Sequence, residues 1–570
     1  MKPVRLPASA TIALPRWGLV ALCLFYILPG LVARDPWKNI DAANFGIEWT
    51  MAHGGWSDWL SPHIASLHVG AEGPLAFWLG ALCIRLFGWL LGDPLAAGVA
   101  SILFFLLGSL SVWHAANLLG QRAEAQPLRL AFGGQPEPKD YGRTLADGAL
   151  LIFLGSLGLL YPIHATSAKA LQVALVAYAI CEAVRLFDSG SGRAALKLGL
   201  TLGLLVLARG WVVPVGLWLG LVGLAALRDR ASLLRLLTQS LPLALAPVGA
   251  WLLVLHAAPD SLRSPLADWL SWNAAQLSWP SWESLRYLLK NGIWFTWPSW
   301  PFAGWAVYAW RKQFKALHIA LPLAFFGTLL ALGLLNPVSE VGVLMPLLPP
   351  LAILAAFGLP TMKRGAINAV DWFSVMTLTM FAFGIWMYWV SLQTGWPLPA
   401  QKVLKLLPGF KPEFHALPFL IAFFATAGWI ALVHWRISRR PSVLWRAVVL
   451  SSGGGILCWL LLMTLWLPAF NYARSYAGVA TEIAARLPTE SHCVDTDVGP
   501  DQLASFAYFG KIRFAQDSDA QCDYLLLQEN SHNKEEAARV RNAVKQWQLI
   551  WEGRRPADRD ERFRLYQRLR

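Results

Sequence analysis

Charged side chains are scarce in this 570-residue chain, where Asp, Glu, Lys and Arg together make up 14% of the sequence. Soluble globular domains carry roughly 25%. Because 56% of the residues are hydrophobic, this scarcity excludes a soluble enzyme and a disordered chain. The remaining class is a membrane protein with many spans, and the 31 Trp and 46 Gly are typical of membrane helices and their interfaces.

Cysteine is also rare, with six residues in the whole chain, which excludes a small scaffold held together by disulfides. The sequence contains neither Cys-x-x-Cys nor His-Glu-x-x-His, two spacings that are typical of metal binding. We therefore expect no metal site built from protein ligands alone and no resident cofactor. A divalent metal that acts together with a substrate is left open.

Long apolar runs are abundant, and thirteen of them can cross a membrane as helices. They predict an all-α polytopic membrane protein with about thirteen transmembrane helices. The first run follows three basic residues and lacks a clean small-residue cleavage site, so we interpret it as an uncleaved helix rather than a signal peptide. The runs are 17–32, 95–119, 144–163, 171–187, 195–208, 211–227, 238–257, 292–310, 316–335, 342–360, 372–394, 417–435 and 447–468.

The net charge of +14 lies entirely among these runs, because the 15 basic and 15 acidic residues from Asn471 onward cancel. Cytoplasmic loops of membrane proteins are rich in Lys and Arg. With a cytoplasmic N-terminus, every strong basic cluster falls inside, and the one exception is the stretch with Lys402, Lys405 and Lys411, which falls outside. We expect a protein of the inner (plasma) membrane. No basic stripe with interleaved aromatics is present, which argues against a nucleic-acid partner.

A further apolar segment, 74–92, carries Arg85 near its middle. A charge at the bilayer centre costs about 2.5–3.5 kcal/mol on insertion scales. Counting this segment as a span would also place all later basic clusters outside. We therefore predict that it lies at the membrane surface or re-enters it, as part of one external loop over 34–93.

The tail of the chain differs in kind from the apolar runs. Its alternation of short strands and helices is typical of a small α/β domain. We predict a transmembrane domain over 1–468 and a periplasmic α/β domain over 469–570. The predicted strands are 493–498, 524–528, 549–551 and 563–566, and the predicted helices are 477–487, 502–509 and 534–547.

Two of the six cysteines, Cys493 and Cys522, lie in this tail next to predicted strands. Neighbouring strands can bring two Cα atoms within the about 4.4–6.8 Å that a disulfide requires. An oxidising compartment permits the bond. The alternative is two free thiols.

Acidic residues gather in the first external loop. Asp41 and Glu48 are seven residues apart, which places them on one face of a helix, and Glu72 precedes the segment 74–92. Carboxylates at a membrane face are candidate general bases, because a low dielectric raises a carboxyl pKa toward the working pH. We predict that these three residues are catalytic. The alternative is a solvated acidic loop.

A series of residues follows the first span in a fixed order: Asp41, Phe45, Met51, Gly55, Trp56, Pro62, Gly73, Pro74, Leu75, Trp78, Leu86, Phe87 and Gly88. Further landmarks follow in order: Arg209, Gly210, Pro214, Trp297, Pro298, Trp300, Pro301 and the stretch 345–352. This order resembles the GT-C membrane glycosyltransferases, in particular the lipid A aminoarabinose transferases and the protein O-mannosyltransferases. The resemblance covers the membrane part up to about residue 359.

The resemblance implies a GT-C-like fold and transfer of a sugar from a polyprenyl-phosphate carrier to a lipid or protein acceptor on the outer face. It places Asp41 at the reacting centre, as a base or as a group that positions the acceptor. A buried phosphate also needs cations beside it as leaving-group charge grows. No Gly-rich phosphate loop is needed, and none is present. We predict substrate binding by Lys38, His164, Lys169, Arg209, Gln276, Lys290 and Glu340.

The chain departs from the family pattern at several positions, which allows a donor or acceptor other than aminoarabinose and lipid A. The second Asp that the family carries just outside the third span is absent, and Leu171 or Gln172 stands there. The other replacements are Ala42 for Glu, Glu72 for Lys, Val343 for Tyr and Gln276 for Arg.

The alternative function is a transporter, or a non-enzymatic envelope component on the same scaffold. Transporters favour internal repeats and ionisable residues inside their spans. No repeat stands out here, and the ionisable residues gather in the first external loop. This distribution favours the enzyme.

Overall fold

The computed structural model describes residues 5–60, 62–65, 67–68, 72–259, 264–338, 340–396, 400–439, 443–488, 493–515, 522–530, 547–558 and 560–569. Within these residues, nine helices are long and apolar enough to cross a membrane. The number is ten if two helices joined by a 61° bend, Pro138–Leu154 and Leu157–His164, count as one span. The chain is a multi-pass membrane protein.

The first half of the chain contains the helices that begin the bundle, among them the helix that carries Asp41 and Glu48. In chain order they are α1 (Arg16–Ile27), α2 (Ile40–His53), α3 (Trp56–Leu60), α4 (Leu75–Leu91), α5 (Asp93–Gln121), α6 (Pro138–Leu154), α7 (Ala168–Ser189), α8 (Gly192–Ala208), α9 (Val212–Arg228), α10 (Arg230–Arg235), α11 (Leu241–Ala257) and α12 (Ser264–Ala275). A short antiparallel pair, β1 (His63–Ile64) and β2 (Leu67–His68), lies between α3 and α4.

The second half continues the helical bundle and ends in a small sheet. Its helices are α13 (Trp282–Phe295), α14 (Ser299–Ala309), α15 (Leu317–Leu335), α16 (Val341–Leu344), α17 (Leu348–Ala356), α18 (Arg364–Thr394), α19 (Ala400–Leu406), α20 (Ala416–Arg439), α21 (Arg446–Leu465), α22 (Leu467–Arg474), α23 (Ala477–Ala484) and α24 (Pro500–Gly510). The strands are β3 (Val494–Thr496), β4 (Tyr524–Asn530), β5 (Trp547–Gly553) and β6 (Glu561–Arg568).

The predicted number of thirteen spans is not confirmed, because four of the predicted runs form short or broken helices: 144–163, which contains the 61° bend, 195–208, 211–227 and 292–310. Helices α8 and α9 have 17 residues each, which gives about 25 Å against a hydrocarbon thickness of about 30 Å. The run 292–310 is divided between α13 and α14. Pro298 explains the division, since proline lacks an N–H and disfavours helical backbone in the preceding residue.

The structure explains why the apolar segment 74–92 carries a charged residue, Arg85. It lies on α4, which packs against α2 and α5. Its guanidinium donates to the carbonyls of Ala52 at 2.8 Å and Gly54 at 3.0 Å, and it lies 5.1 Å from the Trp59 ring centroid. These carbonyls end helix α2, where no helical N–H remains to bind them. The charge in this apolar segment therefore caps the helix that carries Asp41.

The C-terminal sheet has the strand order β3-β4-β6-β5, with β3 parallel to β4 and the other pairs antiparallel. The four predicted strands are present with shifted ends, as are two of the predicted helices, α23 and α24. The third predicted helix, 534–547, lies outside the described residues except for Trp547, which begins β5. The predicted domain boundary between 468 and 469 falls inside α22.

A disulfide joins Cys493 and Cys522 at the same end of β3 and β4, with Cα atoms 5.0 Å apart. It closes a loop with a sequence separation of 29, which stabilises the fold of the sheet region by about 3–4 kcal/mol in the chain-entropy model. We expect neither thiol to react with maleimide in the folded, non-reduced protein, and both to react after reduction. Free reaction of both without reductant would show that the bond is absent.

Candidate active site

Two pockets adjoin the N-terminal end of α7. The first, here called the acidic pocket, has a volume of about 380 Å³ including its open mouth, and Arg34, Asp41 and Glu48 line it. The second, here called the amide pocket, has a volume of about 490 Å³ measured in the same way. Segment 164–172 contributes to both, because His164 and Thr166 line the acidic pocket and Gln172 lines the amide pocket.

Asp41 is held in place at the start of α2. Its Oδ2 lies 2.5 Å from Nη2 of Arg34 and accepts the backbone N–H of Trp37 at 2.9 Å. The first turn of a helix also favours a negative charge. Arg34 donates in addition to the carbonyls of Gly30 and His164, each at 3.2 Å. Both contacts of Asp41 use Oδ2, so the carboxylate is oriented by one oxygen.

An aromatic and cationic stack lies beside this ion pair. The rings of Trp37 and Tyr161 are stacked with centroids 6.0 Å apart. The guanidinium of Arg34 lies 4.3 Å from the Trp37 centroid, and that of Arg474 lies 5.4 Å from it. Arg34 is not among the site residues predicted from the sequence. Its position in the Arg-Asp-Pro-Trp stretch that follows the first span was the available signal.

Glu48 is fully buried two helical turns beyond Asp41, on the same face of α2. Within the described residues, neither of its carboxyl oxygens has a hydrogen-bond partner. Gly80 of α4 provides the space for the carboxyl, since a Cβ there would lie 2.3 Å from its Cδ. Burial, and then the charge of Asp41, raises the pKa of Glu48 well above its usual value. Burial therefore favours the protonated, neutral form of this carboxyl.

Four predicted site residues form one ion-pair network at the amide pocket. Nε of Arg209 lies 2.9 Å from Oε1 of Glu72, and the guanidinium also pairs with Glu340. Nζ of Lys169 lies 2.8 Å from the other oxygen of Glu340. Burial alone would raise the pKa of Glu340, but Arg209 and Lys169 outweigh burial and hold it below its usual value. The network combines two cations with two carboxylates.

The amide pocket joins Arg209 to a set of amide side chains. Trp272 lies 5.6 Å from the Arg209 guanidinium, measured to the ring centroid. Gln276 accepts a hydrogen bond of 2.6 Å from Asn336, and the Oε1 of Gln172 has no partner within the described residues. Amide groups and an indole ring beside a cation suit hydroxyl groups linked to a phosphate. The sequence analysis did not identify Trp272 or Asn336, although Asn336 stands out as the polar end of an apolar run.

Three predicted substrate-binding residues, Lys38, His164 and Lys290, lie outside the ion-pair network. Lys38 lines neither pocket, and its ammonium lies 3.2 Å from Asp558 of the C-terminal domain. His164 lines the acidic pocket, but its two ring nitrogens face the carbonyls of Leu160 and Tyr26. Lys290 is exposed on α13 and lines neither pocket. Within the part of the chain that the structure describes, no three His, Cys, Asp or Glu residues form a group that could hold a metal.

The chain combines a helical membrane part, a loop that carries Asp41 after the first apolar helix, and a small C-terminal sheet. Two solved structures of ArnT from Cupriavidus metallidurans, one apo and one bound to undecaprenyl phosphate, share this fold with a TM-score of 0.66 each. They are 15% and 16% identical to this chain, and the matches cover 96% of it and 97% of theirs.

Sequence comparison points the same way. The undecaprenyl phosphate-alpha-4-amino-4-deoxy-L-arabinose arabinosyl transferases of Pseudomonas paraeruginosa and Pseudomonas aeruginosa are 27% and 28% identical to this chain. Each match extends over 483 residues, which is 76% of this chain and 73% of the relative. No protein-family model matches the chain. The predicted resemblance to GT-C transferases of the aminoarabinose type is confirmed.

Proposed function

We propose that this protein is an integral-membrane glycosyltransferase that moves a sugar from a polyprenyl-phosphate carrier to a lipid or protein acceptor. The observation that carries the proposal is the arrangement around α7. An oriented carboxylate, Asp41, lies at one pocket, and a buried guanidinium, Arg209, lies at the other. The names of the curated relatives, which specify a sugar on undecaprenyl phosphate, support a carrier of this kind.

In the proposed reaction, an acceptor oxygen attacks the anomeric carbon of the sugar, and the bond from that carbon to the phosphate oxygen breaks. The electron pair of that bond remains on the polyprenyl phosphate. Arg209 and Lys169 stabilise this growing negative charge, because fixed cations in a poorly solvated site act strongly on it. Asp41 orients the acceptor and takes its proton. No resident cofactor takes part.

The ion-pair network implies an exchange of partners when the donor binds. Arg209 has two carboxylate partners, Glu72 and Glu340, and a donor phosphate competes with them. An unpaired buried charge is strongly destabilising. The two carboxylates avoid this cost because they neutralise the buried guanidinium of Arg209 when no donor is bound. Glu72 and Glu340 are therefore proposed to hold Arg209 in place between turnovers. Gln276 and the other amides of the pocket would bind sugar hydroxyls.

We also propose an orientation for the two ends of the chain and a number of membrane spans. The N-terminus is cytoplasmic, and the domain over 469–570 is periplasmic. Thirteen segments cross the membrane if the bent pair that begins with α6, the helices α8 and α9, and the pair α13–α14 are counted as spans. The basic loops support this orientation. The capping role of Arg85 supports a surface position for α4.

We expect topology reporters fused after Gly134 and Lys363 to report the cytoplasm, and a reporter fused at Asn530 to report the outside. The reason is the distribution of Lys and Arg between alternate loops. An external Gly134 reporter would show that α4 crosses the membrane and would reverse every later loop.

The function is tested by mass spectrometry of envelope glycolipids and glycoproteins from cells with and without this protein. The proposal predicts one class of molecule that carries an added sugar only when the protein is present. A strain with the inactive Asp41→Asn variant is the matched control. Identical spectra for all three strains would contradict the proposal.

A further inference from the structure

The backbone that leads to Asp41 is fixed by the C-terminal domain. Asn39 precedes α2 with φ 70°, in the left-handed region that non-glycine residues seldom adopt, and its side chain does not cap the helix. Its backbone N–H donates instead to Oδ2 of Asp501 at 2.7 Å. Asp501 lies in the first turn of α24 and is 8% exposed. A residue distant in sequence thus holds a strained position two residues before Asp41.

Close packing of α24 on α2 supports this hydrogen bond. Gly46 of α2 faces Ala504 of α24, and a Cβ on Gly46 would lie 2.3 Å from that of Ala504. Phe45 meets Tyr508 edge to face, with ring centroids 4.9 Å apart. The two helices share one apolar core with α4 and the C-terminal sheet. The position of α2 is therefore set from the C-terminal domain as well as from the membrane part.

The loop before α2 forms further hydrogen bonds with the C-terminal part of the chain. Trp37 donates its indole N–H to Oδ1 of Asn471 at 2.9 Å. The backbone N–H of Lys38 donates to the carbonyl of Arg474 at 2.9 Å. With Asp501, these contacts hold three consecutive residues, 37–39, immediately before Asp41.

We propose that Asp501 is a positioning residue for the transfer reaction and that docking of α24 on α2 sets the place of Asp41. The inference rests on the proposed function and adds a role for the C-terminal domain. Loss of the Asp501 contact frees the left-handed turn at Asn39, and the first turn of α2 moves with it. Displacement of a reacting group by about 1 Å can cost on the order of 10²-fold in rate.

The first experiment compares Asp501→Ala with Asp501→Asn in the full-length, membrane-inserted protein. The Asn side chain keeps an acceptor oxygen, so it retains the contact to the Asn39 N–H, whereas Ala removes it. We expect Asp501→Ala to lower kcat for sugar transfer by about tenfold or more, with KM for the donor little changed, and Asp501→Asn to recover most of the loss. Asp495→Ala, an exposed Asp in β3 that also accepts a backbone N–H, is the matched control.

A second measurement is independent of activity. Hydrogen–deuterium exchange of peptides that cover residues 37–47 should rise by about tenfold or more in Asp501→Ala and remain near wild type in Asp501→Asn and Asp495→Ala. A wild type that transfers no sugar, together with this exchange pattern, would contradict the proposed function and leave the docking intact. Unchanged exchange in Asp501→Ala, or wild-type transfer by that variant, would overturn the positioning role.

The contact between the helices allows a matched rescue. Gly46→Ala adds a methyl group that collides with Ala504, so we expect it to lower kcat and to raise exchange in the same peptides. Ala504→Gly removes the colliding methyl, so the double variant Gly46→Ala/Ala504→Gly should regain part of the activity. The rescue is partial because the added Cβ still lies 3.1 Å from Cδ1 of Ile64 and 3.3 Å from the Cα at position 504. A Gly46→Ala variant with wild-type kcat would contradict the inference.

Discussion

Replacement of Asp41 by Asn is expected to lower sugar transfer by about 10²–10⁴-fold, the range typical for removal of a positioned general base. The Asn side chain retains an acceptor oxygen for the Trp37 N–H. Because it is neutral, it cannot take the acceptor's proton and cannot form an ion pair with Arg34. Because the side chain of Arg34 is only 5% exposed, the variant also loses about 1–3 kcal/mol of stability. Transfer of labelled sugar in proteoliposomes measures the effect.

Two controls separate chemistry from stability. The double variant Arg34→Gln/Asp41→Asn removes the unpaired cation and should recover stability in a thermal melt while remaining inactive. Asp58→Asn, on the same loop, changes a partly exposed carboxylate that accepts the Gly55 N–H, and it should transfer sugar like wild type. Wild-type transfer by Asp41→Asn would remove Asp41 from the mechanism.

Arg209→Gln is expected to lower kcat by about 10²–10³-fold, the loss typical when one group that stabilises transition-state charge is removed. The guanidinium is nearly buried and reaches two carboxylates at once, which a Lys cannot reproduce with the same geometry. We therefore expect Arg209→Lys to fall between wild type and Arg209→Gln. Single-turnover measurements with a polyprenyl-phosphate-linked sugar test both variants.

Loss of Arg209 also leaves two partly buried carboxylates with one cation, so its structural effect needs a control. The double variant Glu72→Gln/Arg209→Gln restores the balance of one cation and one carboxylate, and should melt near the wild-type temperature while transferring little sugar. Arg286→Gln changes an exposed Arg on α13 and should have no effect. Recovery of transfer by the double variant would show that Arg209 acts only through stability.

Most of the fold follows from the periodicity and length of the apolar runs. The sequence does not reveal where a run is too short or is interrupted, because hydropathy averages over such a local feature. Pro298 divides the run 292–310, and α8 ends at Ala208 just before Arg209 joins the ion-pair network. The sequence shows Arg85 only as a charge within an apolar segment. Its use as a cap for α2 depends on a contact that the sequence does not show.

The sequence predicts the contacts of the candidate site that are local in the chain, but not those between residues distant in sequence. Asp41 and Glu48 lie on one helix, so their shared face follows from a spacing of seven. The partners of Glu340 are 131 and 171 residues away, and no single-sequence pattern pairs them. Each member was identified as a candidate, but their assembly into one network is a property of the tertiary fold. The contact of Asp501 is also a property of the tertiary fold, because its carboxylate accepts the backbone N–H of a residue 462 positions away.

The most direct test of the account uses the purified wild-type protein in liposomes with a labelled polyprenyl-phosphate-linked sugar and a membrane extract as the source of acceptor. Two products are measured together: free polyprenyl phosphate and label on the acceptor. The account predicts that both appear in equal amounts with wild type and that neither appears with Asp41→Asn. If wild type releases neither product from any polyprenyl-linked donor, and instead moves a labelled solute across the bilayer, the chain is a transporter and the account is wrong.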